Sequence, residues 1–205
     1  MLGDKTLKNF LEETASKSPV PGGGSIAAMS AATAVALTEM VANLTVGKKG
    51  YEAAQGEMEK LLSYLPNSRI GFIEDIDRDA EAFNKVMKAF KLPKDTDEEK
   101  KIRKETIQSS MKNAANVPLE VARKAFKMME QITKVVEMGN KNAVTDGAVA
   151  AMMARTSVLS ALFNVKINLS SIKDEEFVKK VKNEVEELER KACELEKKIL
   201  AKVDL

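Results

Sequence analysis

One carboxylate stands at a helix position where an apolar side chain is expected. Between residues 72 and 90, apolar residues recur at alternating intervals of four and three, the spacing of one face of an α-helix, and Asp79 occupies one of these positions. Burying an unpaired carboxylate is costly, so Asp79 must be partnered, protonated or beside a cavity. The apolar members of this stripe are Phe72, Ile76, Phe83, Val86 and Phe90.

Such a carboxylate could carry out acid–base chemistry. Asp75 lies one helical turn before Asp79 and is expected to raise the pKa of Asp79 if both side chains face inward. A carboxyl group with a raised pKa can exchange protons near neutral pH. A structural ion pair from Asp79 to Arg78, Arg155 or a lysine is the alternative, and the sequence supports it equally.

The composition excludes several other kinds of catalytic site. The chain has no histidine and a single cysteine, Cys193. Ser–His and Cys–His pairs are therefore excluded, and acid–base work falls to Asp, Glu, Lys, Tyr or Cys. We expect no metal and no cofactor, because metal-binding histidines are lacking and no acidic residues cluster at i, i+3 spacing. One thiol makes no internal disulfide, which fits a reducing cytoplasm.

A proline- and glycine-rich loop precedes the first small-residue helix and could position a ligand. Its prolines stiffen the chain, its three consecutive glycines allow close backbone approach, and its serine is predicted to cap the helix. Unpaired N–H groups at a helix start suit an anion or a polar ligand edge. Taken alone, the loop is better explained as a tight turn. Its candidate binding residues are Pro21, Gly22, Gly23, Gly24 and Ser25.

Further polar residues lie in two other turns. Lys48 and Lys49 stand between glycines and could pair with an anionic substrate, with a solvated turn as the alternative. A polar loop leads into the second small-residue helix, where Thr145 or Asp146 is predicted to be the cap. The remaining polar candidates are Asn140 and Asn142 in that loop, and Asn43, Asn164 and Asn168 near the far ends of the two helices, where amides often satisfy backbone groups.

The elements that must position these residues are all helical. No segment alternates like a strand, and the apolar spacing predicts helices at 4–16, 26–46, 51–90 with a break near Pro66, 97–138 through Pro118, 147–165, and from Asp174 onwards. The helices at 26–46 and 147–165 are rich in small residues, so we expect both to be central and buried on nearly all sides. The sequence therefore predicts an all-α, single-domain bundle spanning 1–205.

Charge and composition also limit the partners of this chain. A formal net charge of +2 and 4% aromatic residues without tryptophan argue against nucleic-acid binding. The apolar run at 26–46 contains Glu39 and Asn43, which suits a buried helix better than a membrane span. The first residues lack the pattern of a signal peptide. We expect a cytoplasmic protein without membrane or nucleic-acid partners.

Taken in order, these motifs resemble the formiminotetrahydrofolate cyclodeaminase/methenyltetrahydrofolate cyclohydrolase family. The resemblance implies a helical, dimeric fold and a tetrahydrofolate substrate carrying a one-carbon unit. Two departures stand out: Lys49 is followed by glycine where the family often has another lysine, and Thr145 replaces the usual serine. The resemblance covers nearly the whole chain and rests on segments 21–25, 41–45, 47–49, 79–83, 117–119, 139–143, 145–146 and 164–169.

The family chemistry is either loss of ammonia from 5-formimino-tetrahydrofolate or hydrolysis of 5,10-methenyl-tetrahydrofolate. Because no formiminotransferase domain is attached, a stand-alone cyclohydrolase is slightly favoured. The resemblance implies that Asp79 is catalytic. The glycine loop, Lys48 and Lys49, and the polar cluster are expected to contribute substrate-binding residues to one shared pocket. These are Pro21, Gly22, Gly23, Gly24, Ser25, Asn43, Lys48, Lys49, Asn140, Asn142 and Asp146. The alternative is a folate-binding or purely structural helical dimer without turnover.

Overall fold

The computed structural model describes residues 1–204 and shows a bundle of α-helices, with no strand in that range. This confirms the predicted all-α fold. Short 3-10 turns occur at Leu2–Asp4, Glu52–Ala54 and Lys141–Ala143. The helices are α1 (Leu7–Thr14), α2 (Gly23–Asn43), α3 (Gln55–Leu62), α4 (Leu65–Phe90), α5 (Asp97–Met138), α6 (Val144–Leu169) and α7 (Glu175–Leu200).

Helix α2 lies between α4 and α6, while α5 packs against α4 and α6, and α7 packs on α5 and α6. Helix α2 runs in the direction opposite to α4, because Gly24 near the start of α2 contacts Asp79, whereas Glu39 near its end pairs with Arg69 at 2.8 Å. It also runs opposite to α6, since its first residues contact Asn164. The start of α2 therefore meets the middle of α4 and the last turns of α6.

Several helix ends agree with the sequence signals. Thr96 and Glu99 form a reciprocal capping box at the start of α5, and the side chain of Asp174 caps α7. Gly139 is the C-cap of α5, and the break before α4 places Pro66 in the first turn of that helix, where its missing N–H costs nothing.

Two predicted caps are wrong. Gly22 is the N-cap of α2, and Ser25 lies in the first turn, where its hydroxyl bonds to α4 instead of to its own helix. Helix α6 begins at Val144, because the 3-10 turn before it leads the chain directly into the helix. Thr145 and Asp146 therefore lie inside the first turn of α6 and do not precede it.

The predicted helix at 4–16 is divided. A 3-10 turn comes first, and its Leu2 and Gly3 N–H groups donate to Asp77 of α4 at 2.6 and 3.1 Å. The short α1 then lies on the surface and buries only Phe10.

The two small-residue helices are central, but they are not buried all round. On its outer side, α6 exposes Phe163 and Ile167, which are 65% and 68% accessible, together with Val149 and Met152. These four residues form what we call the α6 stripe. Small residues let α2 and α6 approach closely on their inner sides, whereas the larger apolar side chains of the stripe have no neighbour within residues 1–204 that covers them.

By length and composition, α2 and the segment Lys141–Leu169 could each cross a membrane. Burial inside the bundle accounts for 61% and 50% of their respective most apolar windows. Core helices of soluble proteins pass the same test, so length and composition do not separate the two possibilities.

Candidate active site

The carboxyl group of Asp79 lies against the first turn of α2. Its Oδ2 is 3.3 Å from the hydroxyl of Ser25, and the backbone N–H of Ser25 also donates to Asp79. The same hydroxyl donates to the carbonyl of Ile76 at 3.0 Å, so Ser25 holds α2 to α4 twice. Because Gly22 has no side chain to cap α2, Asp79 supplies from α4 the acceptor that a local cap would normally provide.

This contact requires glycine at position 24. A Cβ atom on Gly24 would stand 2.0 Å from Oδ1 and 2.6 Å from Oδ2 of Asp79, far inside van der Waals contact. The backbone of Gly24 is not in the left-handed region, so the requirement is one of space and not of backbone conformation. The glycine loop thus provides the space that the Asp79 carboxyl group occupies.

Burial raises the pKa of Asp79 above the ordinary range of an aspartate, because desolvation penalises the charged form. The hydrogen bonds from the Ser25 hydroxyl and N–H act in the opposite direction, but their effect is smaller. The protonated form of Asp79 is therefore accessible at a higher pH than for an aspartate in water, as the sequence predicted, although the cause is burial and not the neighbouring Asp75.

The alternative of an ion pair at Asp79 is wrong. Arg78 pairs with Asp75 at 2.5 Å and with Glu120 at 2.7 Å, and Arg155 lies 3.6 Å from a glutamate of α7. Asp75, 1% exposed, also pairs with Lys124 of α5 at 3.0 Å. No lysine or arginine within residues 1–204 pairs with Asp79, so its charge is balanced only by dipoles.

Asn164 of α6 lies at the same end of α2. A Cβ atom on Gly23 would stand 3.1 Å from its Nδ2 and 3.5 Å from its Oδ1. The N–H groups of Gly23 and Gly24 have no partner inside α2, since the first intrahelical bond is made by Ile26. Asp79, Asn164 and these N–H groups form what we call the α2 N-terminal site.

Sequence reasoning did not assign Asn164 to this site. The expectation that its amide bonds to a backbone group is confirmed, since Nδ2 donates to the carbonyl of Ser160 at 2.8 Å, but the sequence did not indicate that the same amide contacts Gly23. No spacing rule joins Gly23 to Asn164, because the contact depends on α2 and α6 running in opposite directions. The glycine run was the available signal, since each of its last two members touches a polar side chain of another helix.

Asn140 lies at the other end of α2 and has a structural role. It is 7% exposed; its N–H donates to Thr45 Oγ1 at 2.8 Å, and its Nδ2 donates to the carbonyl of Leu44 at 3.1 Å. Its Oδ1 accepts from the N–H of Asn142 at 3.1 Å. Asn140 therefore attaches the loop before α6 to the end of α2.

The remaining predicted binding residues surround that same end. Lys48 and Lys49 are exposed on a turn that lines a cavity of about 460 Å³ with Glu52 and Gln55. The loop contacts the start of α6, because the hydroxyl of Tyr51 accepts from the N–H of Lys141 at 2.9 Å. Asn43 and Asn142 are exposed, Asp146 is half-buried, and the amide of Asn43 donates to the carbonyl of Glu39.

The predicted site residues therefore form two groups at opposite ends of one helix. Helix α2 has 21 residues, which makes it about 30 Å long at 1.5 Å per residue. Pro21, Gly22 and the α2 N-terminal site are at one end, and Asn43, Lys48, Lys49, Asn140, Asn142 and Asp146 are at the other. Within one chain the two groups cannot line a single pocket, so the expectation that all these residues share one pocket is wrong for an isolated chain.

A cavity of about 660 Å³ lies elsewhere, between α4 and α5. Its lining includes Phe72 and Met128 together with Lys124 and Lys127. None of the predicted site residues lines it, so its size does not identify it as the place of the Asp79 chemistry. Among residues 1–204, no three His, Cys, Asp or Glu side chains come together as metal ligands.

The sequence of this chain is similar to those of known proteins. The sequence model of the formiminotransferase-cyclodeaminase family matches residues 6–187. Over 199 residues the chain is 38% identical to a methenyltetrahydrofolate cyclohydrolase of Methylorubrum extorquens, covering 97% of this chain and 96% of that protein.

Two further relatives share the fold or the sequence. The crystal structure of a formiminotetrahydrofolate cyclodeaminase from Thermotoga maritima superposes with a TM-score of 0.88 at 34% identity, covering 99% of this chain and 98% of that one. The formimidoyltransferase-cyclodeaminase of Sus scrofa is 35% identical over 188 residues, which cover 92% of this chain but only 35% of that longer protein.

Replacing Asp79 by asparagine is expected to stabilise the fold at neutral pH. A neutral amide avoids the desolvation that raises the pKa of Asp79, so we expect an increase in Tm of about 2–4 °C, or about 1 kcal/mol in a chain of this size. The wild type loses stability as pH rises from about 3.9, the unfolded pKa, to the raised folded pKa. The Tm difference should therefore vanish below about pH 4. Thermal unfolding followed by circular dichroism from acid to neutral pH tests this, and a difference independent of pH contradicts it.

Gly24→Ala is expected to displace the Asp79 carboxyl group and lower turnover by about 100-fold, because the new methyl group would occupy its place. Gly56→Ala is the matched control: Gly56 is an exposed helical glycine, and a methyl group added there would meet no atom within 4 Å, so turnover should be unchanged. Steady-state kinetics on folded variants measure both effects. Equal activities of the two variants would show that the site tolerates displacement of Asp79.

Proposed function

Because the chain belongs to the formiminotransferase-cyclodeaminase family, we propose that it is an enzyme of folate one-carbon metabolism and that Asp79 is its proton-transfer residue. The observation that carries this proposal is the carboxyl group with a raised pKa that Ser25 holds at the start of α2, beside the unpaired N–H groups of Gly23 and Gly24. Such a group can exist in both protonation states during one catalytic cycle.

In the hydrolytic direction, the substrate is the 5,10-methenyl cation. Water adds to the carbon between N5 and N10, and ionised Asp79 accepts one of its protons. Asp79 then passes this proton to N5 as the bond between N5 and the tetrahedral carbon breaks. The hydroxyl loses its remaining proton through Asp79 as the C=O bond forms, and 10-formyl-tetrahydrofolate and one proton are released. Before water adds, the carboxylate also stabilises the positive charge that is spread over the N–C–N unit.

In the deaminating direction, the substrate is 5-formimino-tetrahydrofolate. N10 adds to the formimino carbon, and the proton of N10 passes to the imino nitrogen, which becomes an amino group. Protonated Asp79 then gives its proton to this amino group, which leaves as ammonia. Both reactions pass through a tetrahedral carbon bearing two ring nitrogens and one exchangeable group. The same carboxyl group therefore serves either reaction, and the relatives that match nearly full length bear both names.

We assign the other binding residues to parts of folate from their charge and their hydrogen-bonding groups. The free N–H groups of Gly23 and Gly24 suit the pterin carbonyl edge, because a helix start carries partial positive charge. Lys48 and Lys49 are exposed cations that suit the glutamate tail of folate. Pro21 and Gly22 shape the approach, and Asn43, Asn142 and Asp146 flank the lysine end, whereas Asn140 acts by holding that end together.

Neither reaction changes the oxidation state of the one-carbon unit, so we propose that the enzyme works without a redox cofactor or a metal. Each step moves a proton and breaks one carbon–nitrogen bond. Asp79 and the helix dipole supply the acid–base and electrostatic terms that these steps require. A cytoplasmic location fits the single thiol of Cys193, which makes no internal disulfide.

We also propose that the active form is a homodimer that packs through the α6 stripe. Val149, Met152, Phe163 and Ile167 present a row of exposed apolar side chains along the length of α6. Rows of this kind on one helix are typical of association surfaces, and a two-fold axis makes one row complementary to its own copy.

A two-fold dimer of this kind also accounts for the separation of the polar groups. Val149 is near the lysine end of the bundle and Ile167 is near the Asp79 end, since α6 runs opposite to α2. When two copies of α6 pack antiparallel, the Ile167 end of one chain meets the Val149 end of its partner. Lysines of one protomer then lie on the same side as Asp79 of the other, and a folate could reach both.

Asp79→Asn is expected to abolish turnover of both substrates, with a loss of about 10²–10⁴-fold in kcat, because the amide cannot accept or donate the transferred proton. Loss of methenyl absorbance and release of ammonia measure the two reactions on the purified protein. The wild-type ratio of the two kcat/KM values identifies the physiological direction.

Binding of 5-formyl-tetrahydrofolate, a non-reacting analogue, separates the enzyme from the binding-protein alternative. Wild-type protein that binds this analogue and turns over neither substrate would support a folate-binding helical dimer. Full turnover by a folded Asp79→Asn variant would remove Asp79 from the mechanism while leaving the family assignment intact.

Phe163→Glu is expected to convert the dimer to monomers, because four apolar residues cannot offset a buried carboxylate on each side of the contact. Ile102→Glu is the matched control, since Ile102 is an exposed apolar residue on α5, outside the α6 stripe. Sedimentation velocity gives the mass of each variant. A wild-type monomer at micromolar concentration, or a dimer unaffected by Phe163→Glu, contradicts the proposed interface.

A further inference from the structure

Two asparagines stand one turn apart on α6 and use their amides differently. The Nδ2 of Asn168 donates to the carbonyl of Ala114 on α5 at 2.8 Å, so it joins two helices. The Nδ2 of Asn164 donates at 2.8 Å to the carbonyl of Ser160, one turn earlier on its own helix. That carbonyl already belongs to the helical ladder, and the bond secures no other element.

The local bond of Asn164 fixes the direction of its amide. With Nδ2 bonded to Ser160, Oδ1 is left as the acceptor of this amide; a Cβ on Gly23 would stand 3.1 Å from Nδ2 and 3.5 Å from Oδ1. On the adjacent residue, Gly24, the corresponding neighbour is the carboxyl group of Asp79. The amide of Asn164 and the carboxyl group of Asp79 therefore approach consecutive glycines at the start of α2, and each has an oxygen acceptor there.

We propose that Asn164 is a substrate-contacting residue that binds the exchangeable group on the reacting carbon. This inference rests on the proposed function and adds a second residue to the Asp79 chemistry. The exchangeable group is water in hydrolysis and the amino group in deamination. Both carry at least two hydrogens, so one can be donated to Oδ1 of Asn164 while Asp79 handles the proton that moves.

The step balances in both directions without another reactant. In hydrolysis, the water held by Asn164 forms the new carbon–oxygen bond, and one of its protons passes to Asp79 and from there to N5 as the bond from carbon to N5 breaks. The second proton leaves the hydroxyl through Asp79 to solvent as the formyl C=O bond forms. In deamination, the amino nitrogen receives a proton from Asp79, keeps its hydrogen bond to Asn164 and leaves with its bonding electron pair as ammonia. Asn164 orients the group and exchanges no proton.

The test compares Asn164→Leu, which removes the acceptor at similar volume, with Asn168→Leu. For Asn164→Leu we expect kcat to fall by about 10²-fold with both substrates, with KM changed less than about 3-fold and an unchanged Tm. For Asn168→Leu we expect the reverse, because its bond to Ala114 holds α6 to α5: a lower Tm and a kcat close to that of the wild type. If the role of Asn164 is only structural, the Asn164→Leu variant will instead have a lowered Tm, as expected for Asn168→Leu.

Asn164→Asp supplies a readout that packing cannot imitate. The carboxylate keeps an acceptor at this position, so kcat should recover to within about 10-fold of the wild type. Its negative charge should also raise the pKa of Asp79 further, which shifts the acid inflection of the pH–rate profile upward. An Asn164→Leu enzyme with wild-type kcat, or an Asn164→Asp profile superimposable on the wild type, would falsify the proposal.

Failure of this inference is distinguishable from failure of the proposed function. Wild-type turnover with unaffected Asn164 variants removes only the role of Asn164. Wild-type protein that turns over neither substrate removes the proposed function, and the role of Asn164 in the chemistry is then overturned with it.

Discussion

The contact between Asp79 and the first turn of α2 is the constraint on which the site depends. Helix α2 has Gly22 as its N-cap and therefore no side-chain cap, and within residues 1–204 no lysine or arginine pairs with Asp79. The two features complement each other, because N–H groups in the first turn of α2 supply the dipoles that stabilise the Asp79 carboxylate. Gly24 makes the approach possible, and Ser25 fixes its distance through two hydrogen bonds to α4.

Two carboxylates one turn apart on α4 have opposite roles for a geometric reason. Asp75 pairs with Arg78 on its own helix and with Lys124 of α5, so its charge is neutralised and it holds α4 to α5. Asp79 is rotated towards the start of α2, where backbone dipoles replace cations and burial raises its pKa. An ion pair would have kept Asp79 charged, whereas the dipoles leave both protonation states accessible for proton transfer.

The small-residue helices α2 and α6 relate the contact between Asp79 and α2 to the proposed dimer. Close packing of α2 and α6 places Asn164 beside Gly23 at one end and Asn140 beside Leu44 at the other. The length of α2 then keeps Asp79 and the lysine turn about 30 Å apart. In the proposed dimer, the exposed side of α6 both provides the contact and brings the lysines of one protomer towards Asp79 of the other.

The sequence by itself determined the helical fold and most helix ends, and it singled out Asp79 as a carboxylate in an apolar stripe. These follow from local rules, because apolar periodicity, the Thr96–Glu99 capping box and a carboxylate among apolar residues are all visible within a few turns. The motif resemblance identified the family for the same reason, since it compares residues in order. Only the tertiary structure decided that Ser25 bonds to α4, that Asn164 joins the α2 N-terminal site, and that the lysine turn lies at the far end. Those outcomes depend on the direction in which α2, α4 and α6 pass one another, and residues more than fifty positions apart carry no local signal of that direction.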